Sequence, residues 1–303
     1  MTALLDLLGV EVPILQAPMT YIANADLAAA VSNAGGLGVI ETASPGGRAD
    51  LARVRDLTDR PVAANVALAM MRDPAIVEVV HAAGIRVVTT SAGDPALFTA
   101  RFHDAGMTVL HVVGSMRMAS KAVDAGVDGL IVEGVEGGGF KHPLGASTMV
   151  LLPLVASAVD VPIVSAGGIC DGRSMAAALV LGAQAVQMGT RMLASAESPV
   201  HAGFKQAIVD ADEMGTILVS IPGRPTMRVI RTEVATQAAA SGESPVGLER
   251  VHELYFGGDM EASLANTGQV AGRIDRVRPV ADIIDEMWRD CRQVLVDAAK
   301  LAT

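Results

Sequence analysis

Short apolar runs recur along the chain and alternate with longer stretches in which the apolar residues have helical spacing. Most of the runs consist of β-branched or aliphatic residues, and each ends in polar residues or glycine. Near-continuous apolar runs of this kind are typical of parallel strands that are buried on both faces. We therefore predict eight strands, which are Ile14–Ala17, Leu37–Ile40, Val62–Asn65, Val87–Thr90, Thr108–Val113, Gly129–Glu133, Pro162–Ser165 and Ala185–Met188.

The helical stretches between the strands end in a repeated way. A small or aliphatic residue is followed by glycine at Ala34-Gly35, Ala83-Gly84, Ala105-Gly106, Ala125-Gly126 and Leu181-Gly182. Glycine at such a position supplies the left-handed cap that turns a helix into the next strand. Eight strand–helix units are enough to close a parallel sheet, whereas an open doubly wound sheet would show a break halfway along. The pattern therefore predicts an α/β fold of the (β/α)8 TIM barrel type.

A long tail follows the eighth predicted strand. We place the β/α barrel strands and helices, which would carry the ligand site, in residues 1–190, and a barrel-completing helix, a lid segment and a C-terminal helix in residues 191–303. The patterned parts of the tail are a helical stretch around Ser198–Val209, extended pieces around Ile217–Ile221 and Thr226–Arg231, a polar, glycine-rich segment to Gly272 and an amphipathic helix near Val280–Leu301. Because the sequence contains no proline- and serine-rich linker, we predict a C-terminal helical lid or appendage rather than an independent domain.

Composition narrows the choice of partners and location. The formal net charge is -10 without a cluster of lysine and arginine, so we expect no nucleic-acid partner. The longest apolar stretch, Val150–Val164, is interrupted by proline and aspartate, so we expect no membrane span. Cys170 and Cys291 form neither a disulfide framework nor a metal-ligand spacing, and no signal peptide is evident. These features predict a cytoplasmic protein without a metal site.

Glycine pairs follow the last two predicted strands. The seventh strand continues into Ser165-Ala166-Gly167-Gly168, and the eighth into Gln187-Met188-Gly189-Thr190. Exposed backbone N–H groups at these two strand ends form the usual phosphate cradle of a β/α barrel, and glycine lets the phosphate oxygens come close. The alternative is that each pair only turns the chain toward a helix. The sequence therefore predicts a phosphate site at Gly167, Gly168 and Gln187 to Thr190.

Two other strand ends carry groups that suit the edge of a planar heterocycle. Pro18 and Met19 follow the first strand, and Asn65 ends the third. Pro18 restricts the backbone beyond the strand, and the Asn65 amide offers an acceptor and two donors. A methionine in the core and an asparagine in a turn are the structural alternatives.

The longest spacing between predicted strands follows the sixth strand. Residues Gly134 to Ser147 are predicted to form a long loop at the mouth of the barrel, where barrel enzymes hold their catalytic groups. Three successive glycines, Gly137 to Gly139, directly precede Phe140, Lys141 and His142 in this loop. Lys141 and His142 are clustered candidates for proton transfer, and a solvated loop with two surface residues is the alternative.

Several motifs occur in a fixed order along nearly the whole chain. They are Gln16-Ala-Pro-Met19, Asn65, Glu133-Gly-x-Glu-x-Gly-Gly139, Ala166-Gly-Gly-Ile169, Asp171-Gly-Arg173, Gln187-Met-Gly-Thr190 and Gly268-Gln-Val-Ala-Gly272. In this combination the sequence resembles the nitronate monooxygenase family, formerly called 2-nitropropane dioxygenases, which includes FMN-dependent enoyl-acyl-carrier-protein reductases. The resemblance implies FMN, with Met19 and Asn65 near the isoalloxazine ring, Glu133 and Gly138 in the loop after the sixth strand, and Gly168 and Gln187 to Thr190 around the phosphate.

Two residues depart from the nitronate-oxidising pattern. Glu133 stands where nitronate-oxidising members tend to have glutamine, as in the enoyl reductases. Phe140 stands where both branches usually have a catalytic histidine, and His142 follows two residues later. A version of the loop with Gly-Gly-Phe-Lys resembles members that act on thioester-linked intermediates.

The resemblance implies an FMN-dependent oxidoreductase that oxidises nitronates or nitroalkane-type carbanions with O2. A first alternative is an NAD(P)H-dependent flavin reductase of an enoyl or related acyl thioester, with NAD(P)H as reductant. A second is a barrel that binds FMN or another phosphate ligand without catalysis. We therefore expect a small-molecule or acyl-thioester substrate, and a homodimer is one assembly to test.

Overall fold

The computed structural model describes residues 2–71 and 73–302. The strands of this part of the chain are β1 (Ile14–Gln16), β2 (Gly38–Glu41), β3 (Val62–Ala67), β4 (Val87–Ser91), β5 (Thr108–Val113), β6 (Gly129–Glu133), β7 (Gly139–Lys141), β8 (Ile163–Ala166), β9 (Ala185–Met188), β10 (Thr216–Val219) and β11 (Thr226–Ile230). The helices are α1 (Thr2–Leu8), α2 (Ala25–Asn33), α3 (Pro45–Arg53), α4 (Ile76–Ala82), α5 (Thr99–Asp104), α6 (Met116–Asp124), α7 (Thr148–Ala156), α8 (Gly172–Val180), α9 (Thr190–Leu193), α10 (Ala202–Val209), α11 (Glu233–Ser241), α12 (Val251–Gly257) and α13 (Val280–Ala299).

Eight parallel strands of the described residues form a ring. Their order is β1-β9-β8-β6-β5-β4-β3-β2, and a parallel bridge between Leu15 and Leu37 joins β1 to β2. Each strand lies within a few residues of its predicted position, and the glycines predicted to end helices all have positive φ. The prediction of a TIM barrel is therefore confirmed.

The barrel interior changes from apolar to polar toward the C-terminal ends of the strands. One buried apolar cluster contains the inward side chains of the lower layer: Leu15, Leu37, Val39, Ala63, Val87, Leu110, Ile131, Val164 and Ala185. Because side chains alternate between the faces of a strand, the residues two positions further on also point inward. Those of β3, β4, β6 and β9 are Asn65, Thr89, Glu133 and Gln187. The mouth of the barrel is therefore lined with amide, hydroxyl and carboxyl groups.

The helix that completes the outer layer comes from the end of the chain. The helix directly after β9, α9, is only four residues long. The 20-residue α13 packs between α8 and α2, where the eighth barrel helix belongs, and buries Ile283, Ile284 and Met287 against them. The predicted amphipathic helix at the C-terminus is present, and its apolar stripe explains its position. The division of the chain at residue 190 stays a prediction.

The segment between β9 and α13 forms the appendage, residues 194–279. Its strands β10 and β11 form an antiparallel sheet with β7, which lies inside the predicted loop 134–147. That loop is therefore partly a strand, because β11 supplies a hydrogen-bonding edge that local sequence does not reveal. The polar segment before Gly272 also contains α11 and α12, which the sequence analysis did not identify. No helix in the described residues combines the length and apolarity that crossing a membrane requires.

Candidate active site

Glycines shape the rim where β8 and β9 end. Gly167 and Gly168 have φ angles of 83° and 80°, which side chains rarely adopt. A β-carbon on Gly167 would lie 2.9 Å from the carbonyl oxygen of Gly134, so the loops after β6 and β8 touch through their backbones. At Gly189 a β-carbon would lie 3.5 Å from the Ala17 β-carbon, an ordinary contact distance. The protein itself therefore requires glycine at 167 but leaves room at 189.

Buried polar atoms without partners accompany this rim. Gln16 Oε1, Ser165 Oγ and Gln187 Oε1 have no hydrogen-bond partner among the described residues, and they lie on the adjacent strands β1, β8 and β9. Most buried polar groups in folded proteins are hydrogen-bonded, and an unpaired one lowers stability. Gln16 and Ser165 alternate with the inward-facing Leu15 and Val164, whereas Gln187 faces the mouth, so its unpaired oxygen indicates that a ligand with polar groups belongs beside the rim.

The other predicted ring-binding residues lie just after β1 and within β3, the two strands on either side of β2. Asn65 Nδ2 donates to two atoms of Thr89: the carbonyl oxygen at 3.1 Å and Oγ1 at 2.9 Å. These bonds fix the amide with its oxygen on the other side. Pro18 and Met19 are half-buried after β1, and the Met19 sulfur lies 3.8 Å from where a Gly189 β-carbon would be. The structure thus brings the ends of β1 and β9 together, as the parallel pairing requires.

Glu133 and Lys141 form an ion pair at the mouth. Lys141 Nζ lies 2.8 Å from Glu133 Oε1, and its side chain is only 5% exposed. Nζ also donates to the carbonyl oxygens of Gly138 and Phe140, each at 3.1 Å. All three ammonium protons therefore have acceptors, so Lys141 joins Glu133 to the backbone of the loop after β6, and its role in proton transfer stays a prediction.

Three glutamates lie at this end of the barrel, and only one keeps a free oxygen. Glu41 accepts hydrogen bonds from the backbone N–H groups of Tyr21, Ala43 and Ser44. Glu136 accepts from the N–H and hydroxyl of Thr148. Glu133 Oε2 has no hydrogen bond from any described residue, and the Glu133 side chain is 26% exposed. Glu133 is therefore the carboxylate that can exchange a proton with a bound molecule.

The two predicted proton-transfer residues of the loop are separated in the structure. Lys141 points into the mouth, whereas Phe140 is exposed on the opposite face of β7. His142 is also exposed, and its Nδ1 accepts the backbone N–H of Leu144 at 3.1 Å. The ring of His142 therefore lies outside the cluster formed by Glu133 and Lys141.

Residues of the appendage support the loop, and the sequence analysis did not assign them to the site. A β-carbon on Gly138 would lie 2.9 Å from the carbonyl carbon of Thr267, and the Gly268 N–H donates to Thr190 Oγ1 at 2.8 Å. Arg228 on β11 donates from Nε to the Val135 carbonyl oxygen at 2.8 Å, and burial lowers the pKa of Arg228. The Gly268 motif was the only sequence signal for the contact between the appendage and the loop after β6.

No group of three or more histidine, cysteine or acidic side chains in the described chain is arranged to hold a metal.

Comparisons with known proteins agree with this arrangement. The family described as Nitronate monooxygenase matches residues 1–73 and 70–290. A nitronate monooxygenase of Pseudomonas aeruginosa is 32% identical over 290 residues, which cover 79% of this chain and 82% of that protein. The (3aS,4S,5R,7aS)-5-hydroxy-7a-methyl-1-oxo-octahydro-1H-indene-4-carboxyl-CoA dehydrogenase of Mycobacterium tuberculosis is 36% identical over 240 residues, covering 77% of this chain and 67% of that protein.

A solved structure extends the likeness to the whole fold. The structure of FabK from Thermotoga maritima has a TM-score of 0.90 at 34% identity, and the match covers 99% of this chain and 98% of that one. The predicted resemblance is thus confirmed along the barrel and the appendage. The chain belongs to the nitronate monooxygenase family and is a flavin-dependent oxidoreductase that resembles its nitronate monooxygenases.

Proposed function

We propose that this chain is an FMN-dependent oxidoreductase of acyl thioesters in which Glu133 moves the proton at the α-carbon. One observation carries the proposal: the Glu133 carboxylate points into the mouth, where Lys141 holds one of its oxygens and the other oxygen is free. A carboxylate within reach of a carbon acid can take or give its proton. A thioester carbonyl makes the neighbouring C–H acidic enough for this chemistry.

The residues around the mouth fit FMN. Gly168 and Gly189 leave room at the rim, with Thr190 beside it, which suits a phosphate, whereas Gly167 lets the rim pack against the loop after β6. The unpaired Gln187 Oε1 could accept a hydrogen bond from the flavin, and Pro18, Met19 and Asn65 would surround the ring. Met188, which precedes Gly189, would support the rim from the helix side. Bound FMN supplies the two-electron donor and acceptor.

Lys141 acts as a positioning residue in this proposal. Its three hydrogen bonds keep Glu133 in the mouth and keep Gly138 against the appendage. In the oxidative direction Glu133 takes the α-proton, and in the reductive direction it returns that proton to the α-carbon. His142 remains a second candidate for proton transfer, which a variant described below tests.

Relatives support a thioester substrate. The Mycobacterium tuberculosis relative is named as a carboxyl-CoA dehydrogenase. Glu133 is the residue of the enoyl-reductase pattern, and the Gly-Gly-Phe-Lys version of the loop, with Phe140, resembles members that act on thioester-linked intermediates. For reduction we propose NAD(P)H as the source of electrons.

Nitronate oxidation with O2 is the second candidate, and the Pseudomonas aeruginosa relative favours it. A nitronate arrives as a carbanion, so it requires no base, and a neutral nitroalkane could lose its proton to Glu133. A barrel that binds FMN or another phosphate ligand without catalysis is the third. The cytoplasmic location and the homodimer also stay predictions.

Anaerobic flavin spectroscopy tests these candidates. The purified protein is loaded with FMN and mixed separately with NADH, NADPH, an acyl-CoA and a nitronate. Bleaching by NAD(P)H followed by reoxidation with an enoyl-CoA, or bleaching by an acyl-CoA, supports the proposal. Bleaching by the nitronate alone supports the second candidate, and a yellow protein inert to every reagent supports the third. A protein that takes up no FMN contradicts all of them.

A further inference from the structure

A cavity of about 260 Å³ lies between the barrel rim and the appendage. One wall comes from the loops after β1 and β2, with Tyr21 and the segment 44–47. The opposite wall comes from α12, with His252 and Phe256. Tyr21 is two residues beyond Met19, so the cavity adjoins the proposed flavin site. Its volume is below the roughly 300–1,000 Å³ of pockets that hold whole ligands, so it suits one part of a larger molecule.

Aromatic rings are concentrated around this cavity. The chain contains only two tyrosines and five phenylalanines, yet Tyr21 and Phe256 both line it and are 39% and 37% exposed. The ring of His252 lies between them, 4.2 Å from the Tyr21 ring centroid and 5.4 Å from that of Phe256. Partly exposed rings in a concave site offer stacking surfaces for a flat ligand.

A buried carboxylate holds this wall in place. Tyr21 has a φ of 68°, an unfavourable conformation for a bulky residue, and its N–H donates to Glu41 Oε1 at 3.2 Å. Glu41 also accepts the N–H groups of Ala43 and Ser44, so one side chain joins the loops after β1 and β2. Such strain persists only where the surroundings impose it, and it concentrates at functional sites.

The charge of the cavity restricts its ligand. Glu41 and Asp50 both line it, and the only other polar side chains are Asn24, Ser44, Tyr21 and His252. Two carboxylates disfavour a phosphate or carboxylate inside. A flat, uncharged base that stacks on Tyr21 and Phe256, with its phosphates outside, fits both the rings and the charge.

We infer that this cavity binds the adenine ring of an adenine nucleotide that enters the active site, with Tyr21 and Phe256 as the stacking residues. The inference rests on the proposed function, in which acyl-CoA and NAD(P)H both carry adenine. With its adenine in this cavity, either acyl-CoA or NAD(P)H would have its reacting end toward Met19 and the mouth of the barrel.

Calorimetric titration of the FMN-loaded protein with adenosine, free coenzyme A, NADH and NADPH tests this inference. Stacking of a base on an aromatic side chain predicts that Phe256→Ala weakens binding by about 5- to 100-fold. Phe256→Tyr and Tyr21→Phe keep the rings and should bind like the parent protein. Tyr21→Asn removes a ring at a position where asparagine tolerates the backbone, and serves if Phe256→Ala does not fold.

Substrates without adenine provide the matched control. The KM values for reduced nicotinamide mononucleotide and for an N-acetylcysteamine thioester should not change in Phe256→Ala. Weaker binding of coenzyme A alone identifies the thioester as the source of the adenine, and weaker binding of NADH or NADPH alone identifies the pyridine nucleotide. Unchanged affinity for adenosine and for all three nucleotides in the ring-removing variants overturns the inference. Because adenosine binding is measured without turnover, it separates this failure from a failure of the proposed function.

Discussion

The rim at β8 and β9 and the loop after β6 adjoin each other at the barrel mouth, but they are built in different ways. The rim consists of backbone, and its key residues, Gly167 and Gly168, work because they have no side chain. The loop depends on charged side chains, since Lys141 pairs with Glu133 and Arg228 holds Val135 from the appendage.

Under the proposed function, this difference assigns the binding of the cofactor and the movement of the proton to separate parts of the mouth. Backbone N–H groups bind an anion without titrating, so the rim suits a permanent ligand. A carboxylate can exchange its proton, so the loop suits the reaction. Substitutions in the two regions should therefore have distinguishable effects.

The largest effect is expected for Gly189→Val, which should abolish FMN binding. A β-carbon at 189 would lie at ordinary distance from Ala17, and the larger valine side chain would occupy the space that the phosphate needs. Flavin absorbance after gel filtration and the circular dichroism spectrum measure the two properties. Gly114→Ala is the matched control, because this glycine also follows a barrel strand and its β-carbon would lie 3.8 Å from the Glu133 carbonyl oxygen. A yellow Gly189→Val protein would mean that the rim does not bind the phosphate.

Glu133→Gln should lower kcat by about 10²- to 10⁴-fold while FMN stays bound, because the amide cannot exchange the proton. Steady-state kinetics with the substrate that the spectroscopy identifies measures this loss. His142→Ala serves as the comparison, and its exposed ring predicts no loss of turnover. If His142→Ala loses activity and Glu133→Gln keeps it, the proton belongs to His142 instead.

Lys141→Met should lower kcat by about 10-fold, less than the loss at Glu133, because a positioning group acts through its partner. Its removal also leaves the carbonyl oxygens of Gly138 and Phe140 without a donor. Hydrogen exchange of the peptide that covers 134–141 should therefore become faster. Lys141→Arg keeps the charge, so its kcat and its hydrogen exchange should lie between those of Lys141→Met and the parent protein. Unchanged exchange in Lys141→Met would show that Lys141 does not stabilise the loop.

The smallest effect concerns His111, which lies in the barrel wall outside both regions. Burial lowers the pKa of His111 to about 4, and its Nδ1 lies 2.7 Å from Thr90 Oγ1. His111 therefore binds a proton more readily in the unfolded chain than in the folded one. The stability that the neutral, buried ring contributes is complete above the usual pKa of 6.5 and is lost as the pH falls toward 4. Denaturant titrations should show a loss of about 1 kcal/mol between about pH 8 and pH 6.

His111→Gln should reduce this pH dependence, and an unchanged slope would assign it to other groups. The result also sharpens the comparison of the two regions, since it separates acid unfolding from changes at the mouth. A decline in activity that persists in His111→Gln would belong to the mouth.

Much of the barrel could be predicted because its signals are local. Each strand is a short buried run, and each helix ends at a glycine whose conformation depends on its neighbours in sequence. The glycines of the rim are local for the same reason: Gly167 and Gly189 directly follow the strands that position them. Sequence pattern therefore determined the fold class and the glycine-rich ends of β8 and β9, and the anion site there stays a prediction.

Other features depend on contacts between residues that are far apart in the chain. Loop residues 139–141 become a strand only because β11 pairs with them, and this pairing turns Lys141 inward while His142 remains exposed. The contact between the Tyr21 and His252 rings likewise joins residues that are far apart in the chain. Periodicity describes how a segment presents its side chains but does not identify the partner it meets. The apolar runs and glycines thus determined the barrel, whereas tertiary packing decided which carboxylate stays free and which rings surround a cavity.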